Sequence, residues 1–256
     1  MNPIDPTRPP ITSDLDMHQL LRFVQDMHQL RRQREEAYNH LKHAHRITLT
    51  KLALAAEYKD GDTGTHIERI GALSGELARI LGQPEDWCEL IIQAAPMHDI
   101  GKIGVPDSIL KKPSALTASE RQIMETHPLI GAQILGNTDV PVLQMAAEIA
   151  LGHHEHWNGS GYPNRLTGKA TPLCARIVAI IDYIDALMMD RCYRKALSPD
   201  ETLTMLKTGR GGHFDPEIID ATVANFPRLV ALRTRIDAEK AAERIDGTGL
   251  FNAIPL

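Results

Sequence analysis

Apolar residues in this chain return at steps of three and four, the period of a helix rather than of a strand. His66, Ile70, Leu73 and Leu77 share one face by that rule. Leu90, Ile91, Ala94 and Ala95 carry another helix into a core, and Arg176 to Met189 reads as strongly helical. Aromatic residues are 4% and apolar residues 43% of the 256. The core is therefore expected to be Leu, Ile, Ala and Met, which suits helix packing. No segment has a convincing strand pattern, and no internal repeat is visible. The expected class is all-α.

Punctuation divides these helices. Pro84 sits where one begins, and Pro96 ends or kinks it just before His98-Asp99. Thr117 to Glu120 is a capping box that opens a helix expected to reach His127. Pro141 starts one expected to end at His153-His154, and residues 159–172 read as a long loop. A last helix-rich region runs from Ser198 to about 245, interrupted at Gly209–Phe214. Residues 1–11 carry four prolines and are expected to be disordered. From there Met17, Leu20, Val24 and Met27, then Tyr38, Leu41, Thr48 and Leu52, form a weak heptad broken at Arg31 and Arg34. That describes a coiled-coil-like extension, a homodimer stalk or a signalling helix, with packing on its own domain the equal alternative for its C-terminal half. Two regions are expected: the tail and long helix over 1–55, and a catalytic domain over 56–250.

The net charge of -5 argues against a nucleic-acid polymer as partner. Cys88, Cys174 and Cys192 are an odd number with no C-x-x-C pair, the usage of a reducing compartment. The first residues lack a signal-peptide pattern. The most apolar stretch, 173–189, contains Arg176, Asp182 and Asp185, so no membrane span is expected. A cytoplasmic protein is the expectation.

Residues 151–163, L-G-H-H-E-H-W-N-G-S-G-Y-P, place three histidines in four positions. They have counterparts. His66, His98-Asp99, His127, His153-His154 and Asp182 all lie at or near the ends of apolar helical runs. A lone histidine at a helix end is more often a cap than a ligand. Burying adjacent His-Asp and His-His pairs without a partner is costly, which favours ligation. Five imidazoles and two carboxylates are enough for two transition-metal ions. Nitrogen and oxygen donors without thiolates favour iron, manganese, cobalt or nickel over a structural zinc, and iron is the expected metal, with manganese next and cobalt or nickel behind. A metal pair is a common device for hydrolysing phosphate esters. His153 and His154, about 100° apart on a helix, could serve different ions.

A-A-P-M-H-D-I-G-K-I-G-V-P-D (94–107) together with H-H-E-H-W-N-G-S-G-Y-P (153–163) closely resembles the HD-GYP family, bacterial phosphodiesterases of cyclic di-GMP within the HD hydrolase superfamily. The resemblance runs from about Asp60 to about Asn225. It includes D-T-G-T-H, L-x-K-P-x-x-L-T, M-x-x-H-P-x-x-G, P-L-x-A-R-I, D-Y-I-D-A-L and F-D-P. It implies an HD-domain helical bundle with extra C-terminal helices. His66, His98, Asp99 and Asp182 then resemble the basic metal set, with Asp99 bridging. His127, His153 and His154 resemble the ligands that complete a second ion. Asp62 stands where many relatives have a glutamate, which in some supports a third ion; with the shorter aspartate two ions are expected and three are the alternative. Asp185 is expected to be structural.

The resemblance also implies that Lys102 faces the scissile phosphate, where an ammonium stabilises growing phosphoryl charge. Arg191 and Arg194 correspond to residues that hold substrate phosphate, with Cys192 where the family usually has proline. Gly161, Tyr162 and Pro163 shape the wall of the site, and Asn158 replaces a usual aspartate. His156 is expected to be peripheral. The implied reaction is attack by a metal-bridging hydroxide on cyclic di-GMP, giving pGpG as the end product, or GMP where a second cut follows. The alternatives are a non-catalytic cyclic-dinucleotide receptor or docking module, and a hydrolase of another cyclic dinucleotide. Implied partners are a diguanylate cyclase domain or a separate sensor or receiver protein.

Overall fold

Each proline in the core region marks a boundary between helices. In a computed structural model, the described residues are 14–60, 64–190 and 195–245. The expected disordered tail, Asp62, Arg191, Cys192 and Arg194 lie outside them. Eleven α-helices follow in order among the described residues: α1 (Asp14–Asp60), α2 (Thr65–Ile80), α3 (Glu85–Ala94), α4 (Asp107–Leu110), α5 (Ala118–Met124), α6 (His127–Leu135), α7 (Pro141–Gly152), α8 (Leu173–Leu187), α9 (Pro199–Thr208), α10 (Pro216–Ala224) and α11 (Phe226–Ile245). No strand occurs among the described residues, and the all-α expectation is borne out. No helix among them is long and apolar enough to cross a membrane.

The chain divides into two compact units, Met1–Thr48 and Leu49–Leu256. In the first, Met17, Leu20, Val24, Met27, Tyr38 and Leu41 are exposed. In the second, α2 packs on α3, α8 and α11, while α7 packs on α3, α6 and α8. The faces that meet are those the periodicity marks. Ile70, Leu73 and Leu77 of α2 and Ile177, Ile180 and Ile181 of α8 are at most 1% exposed. Each such side chain contributes roughly 1.5–3 kcal/mol by leaving water. Thr117 caps α5 and Ser198 caps α9, each in a full capping box.

One boundary differs from expectation. The helix opened by the Thr117 box ends at Met124, and His127 is the first residue of α6 rather than the last of α5. Pro128 is the cause. It lacks an N–H, and its ring would meet the carbonyl four residues back, that of Met124. The chain turns there and begins a new helix with the proline in its first turn.

Candidate metal centre

Helix ends leave backbone carbonyls without helical partners. Three histidines take up such carbonyls. The Pro128 break exposes the Met124 carbonyl, and His127 Nδ1 donates to it at 2.8 Å. In the 3-10 turn around Pro96, Ala95 O accepts from His98 N at 3.1 Å and from His98 Nδ1 at 3.0 Å. At the end of α7, His153 Nδ1 donates to Ile149 O (3.1 Å) and Ala150 O (3.0 Å). A carbonyl only accepts, so each ring carries its proton on Nδ1 and keeps a lone pair on Nε2.

His66 sits at the start of α2, where N–H groups rather than carbonyls are in surplus. Its proton needs a side-chain acceptor, and Asp185 Oδ2 supplies one at 2.7 Å. Asp185 is fully buried and also accepts from Arg69 and Arg233. Asp237 braces both arginines from α11. The expectation that Asp185 is merely structural is therefore revised: it sets the tautomer of His66. The signal was present in D-Y-I-D, which puts Asp185 one turn from Asp182, and in Arg69, one turn from His66.

Four Nε2 lone pairs thus enter one buried space, where the carboxylates wait. Asp99 Oδ1 lies 3.2 Å from His127 Nε2 and 3.5 Å from His153 Nε2. Its Oδ2 lies 3.3 Å from His98 Nε2. Asp182 Oδ1 is 3.8 Å from both His66 Nε2 and His98 Nε2. His98 Nε2 and Asp99 Oδ1 are buried without a hydrogen-bond partner. The Nε2 atoms of His127 and His153 face each other at 3.5 Å, acceptor against acceptor. Two donors bound to one ion at ~2.0–2.2 Å stand roughly 3–4 Å apart. The residues fit metal ions, in two groups: Asp99, His127, His153 and His154, and His66, His98 and Asp182. Asp99 reaches both.

His153 and His154 fall in the same group of candidate ligand atoms. α7 stops at Gly152, so the helical 100° offset does not govern His154. Burial and the neighbouring imidazoles hold His154 well below the usual histidine range, and burial also lowers His153. Burial opposes charge on His98 too, but Asp99 and Asp182 more than offset it and raise that ring to about 9, so a metal ion binding at Nε2 displaces a proton there. Lys102 Nζ pairs with Asp99 Oδ2 at 2.8 Å.

Tyr162 stacks on His154 with ring centroids 4.7 Å apart. Glu155, a buried carboxylate that sequence reasoning did not single out, ties down the loop by accepting from Asn164 N (2.7 Å) and Leu166 N (3.0 Å). His156 is half-buried and pairs with Ser160. A Cβ on Gly161 would stand 2.3 Å from His156 N and 2.5 Å from His154 O. Gly161→Ala is therefore expected to cost about 1–3 kcal/mol and to push the His154 backbone outward. Bound metal measured after gel filtration should fall while the fold persists by circular dichroism; undiminished metal would contradict this close packing.

The sequence profile described as HD domain matches residues 52–218. A protein of Xanthomonas campestris pv. campestris named cyclic di-GMP phosphodiesterase response regulator RpfG is 45% identical over 191 residues, covering 75% of this chain and 50% of that protein. A Vibrio cholerae protein named 3'3'-cGAMP-specific phosphodiesterase 2 is 38% identical over 185 residues, 72% of this chain and 35% of that one. Among solved structures, a cyclic GMP-AMP specific phosphodiesterase of V. cholerae matches with a TM-score of 0.52 at 19% identity, over 75% of this chain and 52% of that chain. An HD-G"Y"P protein of Bdellovibrio bacteriovorus matches with a TM-score of 0.51 at 23% identity, over 63% and 51%. At those identities the structural likeness concerns the fold. The chain spans half or less of the length of these two curated relatives.

Proposed function

The chain belongs to the HD domain family, and from that premise we propose that it is a metal-dependent phosphodiesterase of cyclic di-GMP, of the HD-GYP type. The observation that carries this is the alignment of four Nε2 lone pairs on two carboxylates, each ring proton held on Nδ1 by a neighbouring acceptor. His66, His98, Asp99 and Asp182 would hold one ion. Asp99, His127, His153 and His154 would hold the other. Iron is the favoured metal, with manganese next; donors that are nitrogen and oxygen only support either over a structural zinc. When bound, such ions acidify water and screen phosphate charge.

The protein's own groups do the rest. Asp185, Ala95 O, Met124 O and the α7 carbonyls keep the ligand rings in one tautomer. Lys102, anchored by Asp99, brings an ammonium to the phosphoryl oxygens as charge grows there. Arg191 and Arg194 would hold the second phosphate, and the Gly161-Tyr162-Pro163 wall would border the substrate. Water adds to phosphorus as the bond to the 3′ oxygen breaks, giving linear pGpG; a second cut gives GMP.

Residues 56–250 would form the catalytic domain of a cytoplasmic protein. The long helix before it would pair with a second copy or receive a signal from a diguanylate cyclase domain, a sensor or a receiver. The exposed apolar residues of α1 support the pairing. A relative named for 3'3'-cGAMP supports a second substrate reading.

The test is hydrolysis by protein purified without oxygen, with metal content measured on the same sample. Metal ions supply several kcal/mol of transition-state stabilisation, and about 4 kcal/mol is roughly a thousandfold in rate. The His98→Ala/Asp99→Ala double variant should therefore lose about a thousandfold or more. Faster turnover of 3'3'-cGAMP in parallel would move the substrate assignment. No turnover by wild type with metal bound would point to a receptor or docking role.

A further inference from the structure

Glu57 lies in the last turn of α1 and is 7% exposed. Its neighbours Ala53 and Ala56 are small and buried, which lets the end of this helix approach the segment carrying His98-Asp99. A cavity of about 10 Å³, room for roughly one water, opens there between Glu57, Ala56, Pro96, Asp99 and Lys102.

Glu57 Oε1 lies 3.6 Å from His66 Nε2. That is too long for a hydrogen bond. It matches the other ligand pairs of the centre, which stand 3.2–3.8 Å apart. The nitrogen it faces is the one left open for ligation, because Nδ1 is committed to Asp185. With the shared Asp99 the His66, His98 and Asp182 group offers four donors, and Glu57 would be the fifth. The Glu57 carboxylate adds a third negative charge beside Asp99 and Asp182, which a bound metal ion would offset.

We propose that Glu57 is an oxygen ligand of the ion held by His66, His98 and Asp182. The last turn of α1 thereby becomes part of the metal centre. Lys59, on the same turn, donates to Ile103 O (2.6 Å) and Val105 O (2.7 Å) and ties that turn to the segment after Lys102. This inference rests on the metal-centre reading above.

The experiment uses the full chain, stripped with a chelator and reloaded with Fe(II) or Mn(II) without oxygen. Metal per chain, affinity against a chromophoric chelator, and Tm with and without metal are measured for wild type, Glu57→Gln and Glu57→Asp. Glu57→Gln should weaken one ion about tenfold or more and shrink the metal-induced rise in Tm. Its metal-free Tm should equal or exceed that of wild type, since a buried charge has been removed. Glu57→Asp, which keeps the charge on a shorter stem, should fall between. Wild-type metal affinity in Glu57→Gln overturns the inference and leaves the metal centre standing. A metal-free Tm that falls as far as the loaded one also overturns it, making Glu57 structural. Absence of metal uptake by wild type overturns both.

Discussion

Asp185→Asn should lose less stability than Asp185→Ala, yet lose metal about ten- to a hundredfold in affinity. Oδ1 still accepts from Arg69 and Arg233, while Arg69 Nη2 loses its acceptor. Asparagine has the size of aspartate and retains an oxygen for Arg69 and Arg233. Its amide nitrogen is a donor, however, and where it meets His66 Nδ1 that nitrogen must accept. The ring proton then moves to Nε2, the atom needed for ligation. Asp185→Ala is different. It leaves two guanidinium groups, on Arg69 and Arg233, facing a buried gap. Breaking a buried pair from one side costs about 3–5 kcal/mol, and Asp237, which still reaches both arginines, holds the loss near the lower figure. Urea melts and chelator competition on both variants separate the two effects. If Asp185→Asn retained wild-type metal affinity, Asp185 would not set the tautomer of His66.

Gly101→Ala should be the most damaging single-methyl substitution near the site. A Cβ there would lie 1.9 Å from His127 O and 2.5 Å from Gly131 N. Both obstacles are backbone, so no rotamer change relieves them. The turn after Asp99 would have to separate from the start of α6. That costs about 3 kcal/mol or more and draws His127 Nε2 away from Asp99 Oδ1. Gly104→Ala is the control. Its Cβ would meet only the side chain of Ile130, whose far end can swing aside, and a loss under about 1.5 kcal/mol is expected. Equal urea midpoints for the two variants would refute backbone-on-backbone packing at Gly101.

What the sequence determined by itself was local. Period, capping boxes and prolines are short-range properties, so the helices over 65–80, 85–94, 141–152 and 173–187 were legible within a few residues. The histidines could be picked out because they sit where apolar runs end. Those ends matter chemically, since a broken helix frees the carbonyl that orients the ring. Tertiary structure decided the pairings. His66 and Asp185 are 119 residues apart in the chain, and nothing local to either names the other. His127 opens a helix instead of closing one, which only the placing of Pro128 against the Met124 carbonyl resolves. His153 and His154 share a group because α7 stops one residue before them. Glu57 reads as one more acid on a long charged helix until α1 is seen to bury it against His66. Helix formation depends on neighbours in sequence, whereas a ligand set depends on which helix ends packing brings to one place.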